Sequence, residues 1–156
     1  MKSLGLKVFI CVIICLTAGI ASGLGTANEI ASWYNTIQKP NWNPPNWIFG
    51  PVWTTLYIMM GVAIALVWHS GNKNKTAMML FGIQFALNLC WSFIFFGLHE
   101  IGFALVEIIF MWGFIVATIV AFSRISKTAA WLLVPYISWV TFASILNGTI
   151  WALNNS

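Results

Sequence analysis

The chain has 156 residues, of which 60% are hydrophobic and only 6% charged, and its mean hydropathy is +0.88. A soluble domain carries about 25% charged residues to face water, so this composition excludes one and requires an outer surface that meets lipid. The net charge of +4 is small and scattered, which argues against nucleic acid as a partner and leaves the charges to set orientation.

Five apolar stretches follow one another: residues 6–27, 47–68, 76–97, 101–123 and 129–152. Each is about 20 residues long, the length that crosses the hydrocarbon core. Each must be helical, because lipid offers no partner to bare backbone groups. The expected fold is an all-α membrane protein, a five-transmembrane-helix bundle forming one domain over 1–156. The first stretch has the layout of a signal peptide, with Lys2 and Lys7 before the apolar residues 8–16 and small residues after them. It is read here as the first spanning helix. Cys11, Cys15 and Cys90 lie in apolar runs with no ligating partner at metal-site spacing. They are expected to be buried small hydrophobes.

The break after the first span, residues 28–46, is long and rich in Pro, Asn and Trp. Loops of that length are functional or disordered, and Trp33, Tyr34, Trp42 and Trp47 argue for order. Pro40, Pro44, Pro45 and Pro51 fix φ and stiffen the path into the second helix. Such a loop can serve as a lid. For Trp42 and Trp47 an interfacial aromatic belt is an equal alternative. The other breaks, at residues 69–75, 98–100 and 124–128, are short and polar. Six of the seven Lys and Arg residues fall on the side of the N-terminus, and only Lys39 falls on the other. This bias predicts a cytoplasmic N-terminus, with the long loop outside the cell membrane.

Helical spacing gathers the polar and aromatic residues of the spans onto shared faces. Trp53 and Tyr57 share one on the second helix. Gln84, Asn88, Trp91 and Phe95 recur at i, i+4, i+7, i+11 on the third. Tyr136, Trp139, Ala143 and Asn147 recur at i, i+3, i+7, i+11 on the fifth. At a rise of about 1.5 Å per residue, Trp53 lies about 9 Å, Asn88 about 12 Å, Glu107 about 9 Å and Ala143 about 14 Å below the loop-side helix ends. The expectation is a cavity under the long loop with aromatic walls and few polar groups, suited to a flat apolar ligand and not to an ion. Glu107 is the one acid deep in a span, which makes it either a functional carboxyl or a hydrogen-bonded structural one. Asn88 and Asn147 fit interhelical glue as well as ligand contact. His69 and His99 lie in loops with no second ligating residue nearby and are read as solvated, so no metal site and no cofactor are expected. The sequon Asn147-Gly148-Thr149 falls inside a span and is discounted. Gly82, Ala86 and Cys90 repeat every four residues, as Gly19 and Gly23 do on the first helix, and small residues so spaced let helices approach closely. One pair would serve the bundle and the other a homodimer.

The densest motif runs Trp33-Tyr34, Lys39-Pro40-Asn41-Trp42-Asn43-Pro44-Pro45, then Phe49-Gly50-Pro51-Val52-Trp53-Thr54 and Leu56-Tyr57. It resembles the translocator protein/tryptophan-rich sensory protein family, also called the peripheral benzodiazepine receptor family. The resemblance continues in order through Gln84, Asn88 and Trp91 to Ala104–Glu107, where the family more often has Asp. It then runs through Pro135-Tyr136, Trp139, Phe142-Ala143 and Leu146-Asn147. It implies a membrane receptor or sensor for porphyrins such as protoporphyrin IX and for isoquinoline-carboxamide drugs. It also favours a homodimer through the helix-three stripe of Gly82, Ala86 and Cys90. The implied ligand-binding residues are Trp33, Tyr34, Trp53, Tyr57, Asn88, Trp91, Glu107, Tyr136, Trp139, Phe142, Ala143, Leu146 and Asn147. Lys39, Pro40, Trp42, Pro44 and Pro45 would form the lid. Two alternatives come with the family. One is an enzyme for light- and oxygen-dependent porphyrin breakdown, with Trp53 and Trp139 as its catalytic residues. The other is a transporter of tetrapyrroles or other lipophiles, for which the far half of the spans offers no polar path. The tail after Leu146 lacks the Tyr and cation of a cholesterol-recognition pattern. That departure points away from sterols and toward a bacterial-type member.

Overall fold

A computed structural model describes residues 3–71 and 75–155. Lys2 and Lys73, used in the charge count, lie outside the described residues. Five helical segments are long and apolar enough to span a membrane, and the described residues contain no strand. Helix α1 covers Leu4–Ala31, α2 Phe49–His69, α3 Lys75–Ser92, α4 Ile101–Ser123, α5 Lys127–Leu132 and α6 Val134–Asn154.

Three departures from five plain spans have local causes. Helix α1 runs four residues past its expected end, where Ile30 packs with Tyr34 and Phe95 and the Ser32 N–H caps the Asn28 carbonyl. Helix α3 ends in a π-turn over Phe93–Gly97. There Trp91, Phe95 and Phe96 crowd together, with ring centroids 4.8 to 5.8 Å apart, and a widened turn accommodates them. The fifth span divides into α5 and α6 because Pro135 has no N–H to return to the preceding turn.

The helices close a ring in the order α1, α2, α5/α6, α4, α3. Small residues set the tightest crossings. A Cβ on Gly61 would lie 2.6 Å from the Val12 Cα, so only glycine lets α1 reach α2 there. Ala63, Ala65, Ala129 and Ala130 are buried on α2 and α5, two helices that pack on each other. Gly19 is buried against the Tyr57 ring and serves the bundle, whereas Gly23 is exposed and a Cβ on it would meet nothing within 4 Å. Gly82, Ala86 and Cys90 form an exposed stripe on α3. Cys90 therefore faces outward rather than inward: its α3 turn leans on its neighbours through Asn88 and Trp91, which puts position 90 on the lipid side. Of the three thiols only Cys15 is buried.

Candidate functional site

The long loop folds back on itself before α2 begins. Tyr34 is 3% exposed; its hydroxyl donates to Asn43 Oδ1 at 2.9 Å, and burial pushes the phenol up to about 12. Lys39 Nζ donates to the Tyr34 and Ile37 carbonyls at 2.5 and 3.2 Å and lies over the Tyr34 ring. Its charge is spent on the loop itself. Pro40 and Pro45 offer carbonyls to Asn43 and Ile48 in two successive turns, and Pro44 accepts from the Asn43 side chain. Asn154, at the end of α6, clasps Gln38 by both its N–H (3.0 Å) and its C=O (2.9 Å). Trp42 packs edge-on against Phe142, while Trp47 is 73% exposed.

Beneath this loop lies a cavity of about 330 Å³. Of the residues expected to meet a ligand, Tyr34, Trp53, Tyr57, Asn88, Trp91, Trp139, Ala143, Leu146 and Asn147 line it. Trp53 stacks on Tyr57 with centroids 5.6 Å apart, and Trp139 packs against Phe49 and Phe142. The floor is a one-directional chain of buried hydrogen bonds. Tyr57 Oη donates to Asn88 Oδ1 (2.7 Å), Asn88 Nδ2 to Tyr136 Oη (2.8 Å), and Tyr136 Oη to Gln84 Oε1 (2.7 Å). On the wall, Trp91 Nε1 donates to Asn147 Oδ1 (3.1 Å) and Asn147 Nδ2 to the Ile101 carbonyl (3.0 Å). Asn88 and Asn147 thus act as glue and line the cavity at once. Each Nδ2 has a second hydrogen beyond the bond named here.

Four of the expected residues stand outside the lining. Trp33 turns the other way and stacks on His99 at 4.2 Å; His99 Nε2 is 2.8 Å from Glu29 Oε2, so this histidine is a brace between α1 and the α3–α4 turn. Phe142 sits behind Trp139 under Trp42. Tyr136 is fully buried within the floor, its hydroxyl taken up by Asn88 and Gln84. Glu107 does not line the cavity, and its two carboxyl oxygens, like Gln84 Nε2, are buried without a hydrogen-bond partner. Conversely, Ser22, Thr26 and Ile30 of α1, Phe95 and Phe96 of the π-turn, and Ile108 and Met111 of α4 line the cavity. The α1 residues carry no aromatic or deep polar signal. Only the tilt of α1 toward α3 places them.

Residues 11–152 match the TspO/MBR family. The chain belongs to that family. It is 48% identical to the tryptophan-rich protein TspO of Chlorobaculum tepidum over 152 residues, 96% of each chain. Against the tryptophan-rich protein TspO of Archaeoglobus fulgidus it is 39% identical over 150 residues, covering 96% of this chain and 97% of the relative. It is 43% identical to the translocator protein of Homo sapiens over 127 residues, covering 79% and 75%. The protein is a multi-pass membrane protein of this family, and the glycines, prolines and aromatics of residues 33–57 fall within the matched region.

Proposed function

We propose that this TspO-family protein is a receptor or sensor that binds flat, largely apolar ligands, porphyrins such as protoporphyrin IX and isoquinoline-carboxamide drugs, in the cavity beneath the loop. The long loop then faces the outside, and copies pair along Gly82, Ala86 and Cys90. One observation carries the reading: aromatic rings from α2, α3 and α6 converge on one cavity whose exposed polar edge is limited to a few amide and hydroxyl groups. Stacking and burial supply the affinity, and the spare amide hydrogens of Asn88 and Asn147 orient an acceptor on the ligand.

The test is a titration of the purified protein with protoporphyrin, read as tryptophan quenching, followed by illumination and chromatography of the pigment. Saturable quenching is expected, and a Trp53→Phe, Trp139→Phe double variant should lose most of it. Quenching that stays linear with pigment refutes the cavity as the site. Placement of Trp53 and Trp139 on the same cavity favours a second reading, light- and oxygen-dependent breakdown of the bound pigment beside two electron-rich rings. A single defined photoproduct, absent in detergent alone, selects it. Transport is disfavoured by what lies beyond the floor: past the Tyr57–Asn88–Tyr136–Gln84 chain, Met60, Phe81, Ile115 and Leu133 are buried in one apolar core that offers no polar path.

A further inference from the structure

The cavity has two boundaries of opposite character. Toward the loop it is fastened by bonds: the Asn154 clasp on Gln38, the Tyr34–Asn43 pair, and Lys39 on two carbonyls. Toward the side, α1 meets α2 where Gly19 lies against the Tyr57 ring. Nearer the loop, α1 turns its contacts to α3. Ser22 Oγ donates to the Leu89 carbonyl at 3.2 Å, and a Cβ on Gly25 would lie 3.4 Å from the Phe93 ring. A wedge is left between α1 and α2. Gly23 and Gly50 line the cavity from either side of it, and a Cβ on each would meet nothing within 4 Å. Every exposed residue of the cavity wall, namely Ile20, Gly23, Asn46, Gly50 and Thr54, belongs to α1 or to the approach and first turns of α2.

We propose that the cavity takes its ligand sideways from the bilayer, through this α1–α2 wedge, while the loop stays shut. Between Gly50 and Tyr57 the wedge is about 10 Å tall, enough for the edge of a planar ring system. Its outer lips are lipid-facing, with Ile20 53% and Leu24 74% exposed. A flat apolar solute already concentrates in the membrane, so this route spares it a return to water. Two glycines at the lips keep the passage free of side chains. The inference rests on the binding reading, and the experiments below separate the two.

The first experiment uses proteoliposomes of phosphatidylcholine preloaded with protoporphyrin, with stopped-flow tryptophan quenching as readout. A Gly23→Phe, Gly50→Leu double variant should slow association at least tenfold and slow dissociation with it. Asn154→Ala, which loosens only the loop, should leave both rates within twofold. Thr54→Phe, on the same lip, is a second plug whose effect does not depend on the double variant folding. Unslowed association in the plugged variants, faster dissociation alone, or acceleration by Asn154→Ala overturns the wedge. The second experiment needs no porphyrin. An apolar aryl diazirine dissolved in the membrane is photolysed, and labelled peptides are identified by mass spectrometry. Carbene insertion at Trp53 and Tyr57 should fall at least fivefold in the plugged variants, with labelling of lipid-facing Phe9 unchanged. Absent or undiminished labelling at Trp53 and Tyr57 overturns the wedge. Labelling that behaves as expected in a protein that protoporphyrin does not quench upholds the wedge and refutes the ligand.

Discussion

The half of the bundle beneath the loop and the half away from it are built from the same helices on different terms. In the far half, Met60, Phe81, Ile115, Phe122 and Leu133 are buried in one apolar cluster, and Gly61 admits the Val12 backbone. In the loop half, hydrogen-bonded Asn, Tyr and Trp side chains stand around open space. Glycine takes part in both. At Gly61 it removes a Cβ so that two helices meet, and at Gly23 and Gly50 it leaves room that nothing fills. In lipid there is little hydrophobic force between helices. Dense packing must therefore supply stability in one half, so that the other half can hold a cavity.

The contrast breaks most sharply at the glycines. Gly61→Leu forces α1 away from α2 and is expected to cost about 1–3 kcal/mol, whereas Gly23→Ala is expected to change stability by less than about 0.5 kcal/mol. Thermal unfolding in detergent measures both. Equal losses would erase the distinction between the halves.

At the boundary between the halves, Asn88→Ala removes the central link of the floor. It strands the Tyr57 hydroxyl, whose acceptor it is, and takes one donor from Tyr136. The expected cost is about 1–2 kcal/mol. A double-mutant cycle with Tyr57→Phe should show coupling of about 0.5 kcal/mol or more. Additive losses would mean that Asn88 packs without bonding.

The helices and their faces were legible because a membrane imposes length, apolarity and helical period together. The same periodicity correctly grouped Trp53 with Tyr57 and Asn88 with Trp91. It did not resolve which way a residue on the edge of such a face turns. Trp33 found a better partner in His99, and Tyr136 lies one layer too deep. The contribution of α1 was illegible for a different reason. Ser22 and Thr26 are small, ordinary residues on an apolar helix, and they matter only because α1 leans on α3. The expected single span 129–152 missed the break at Pro135, although the missing donor stands in the sequence; the π-turn after Ser92 was not legible, since it follows from the crowding of three rings.

Glu107 sharpens the comparison from the other direction. Its carboxyl oxygens are buried and unpartnered, an arrangement that costs free energy and marks the residue as a functional candidate. Glu107→Leu is expected to raise stability by about 1 kcal/mol, read as a higher midpoint of thermal unfolding. If stability falls instead, the carboxyl is tied into the bundle and its place is structural.

The smallest effect belongs to the loop. Tyr34→Phe keeps the ring but loses the 2.9 Å bond to Asn43, and the loop should loosen by about 1 kcal/mol, seen as faster amide exchange at residues 34–45. The pH dependence has a definite sign. Burial raises the folded-state phenol from 10.0 to about 12, so the loop's hold is complete below pH 10 and is lost as pH rises toward 12. The Phe variant lacks this fall, because it has nothing to ionise. If both proteins loosen alike across that window, Tyr34 is not what holds the loop. The fastening then lies at the Asn154 clasp, which ties the loop to α6, the helix that also carries Trp139 and Asn147.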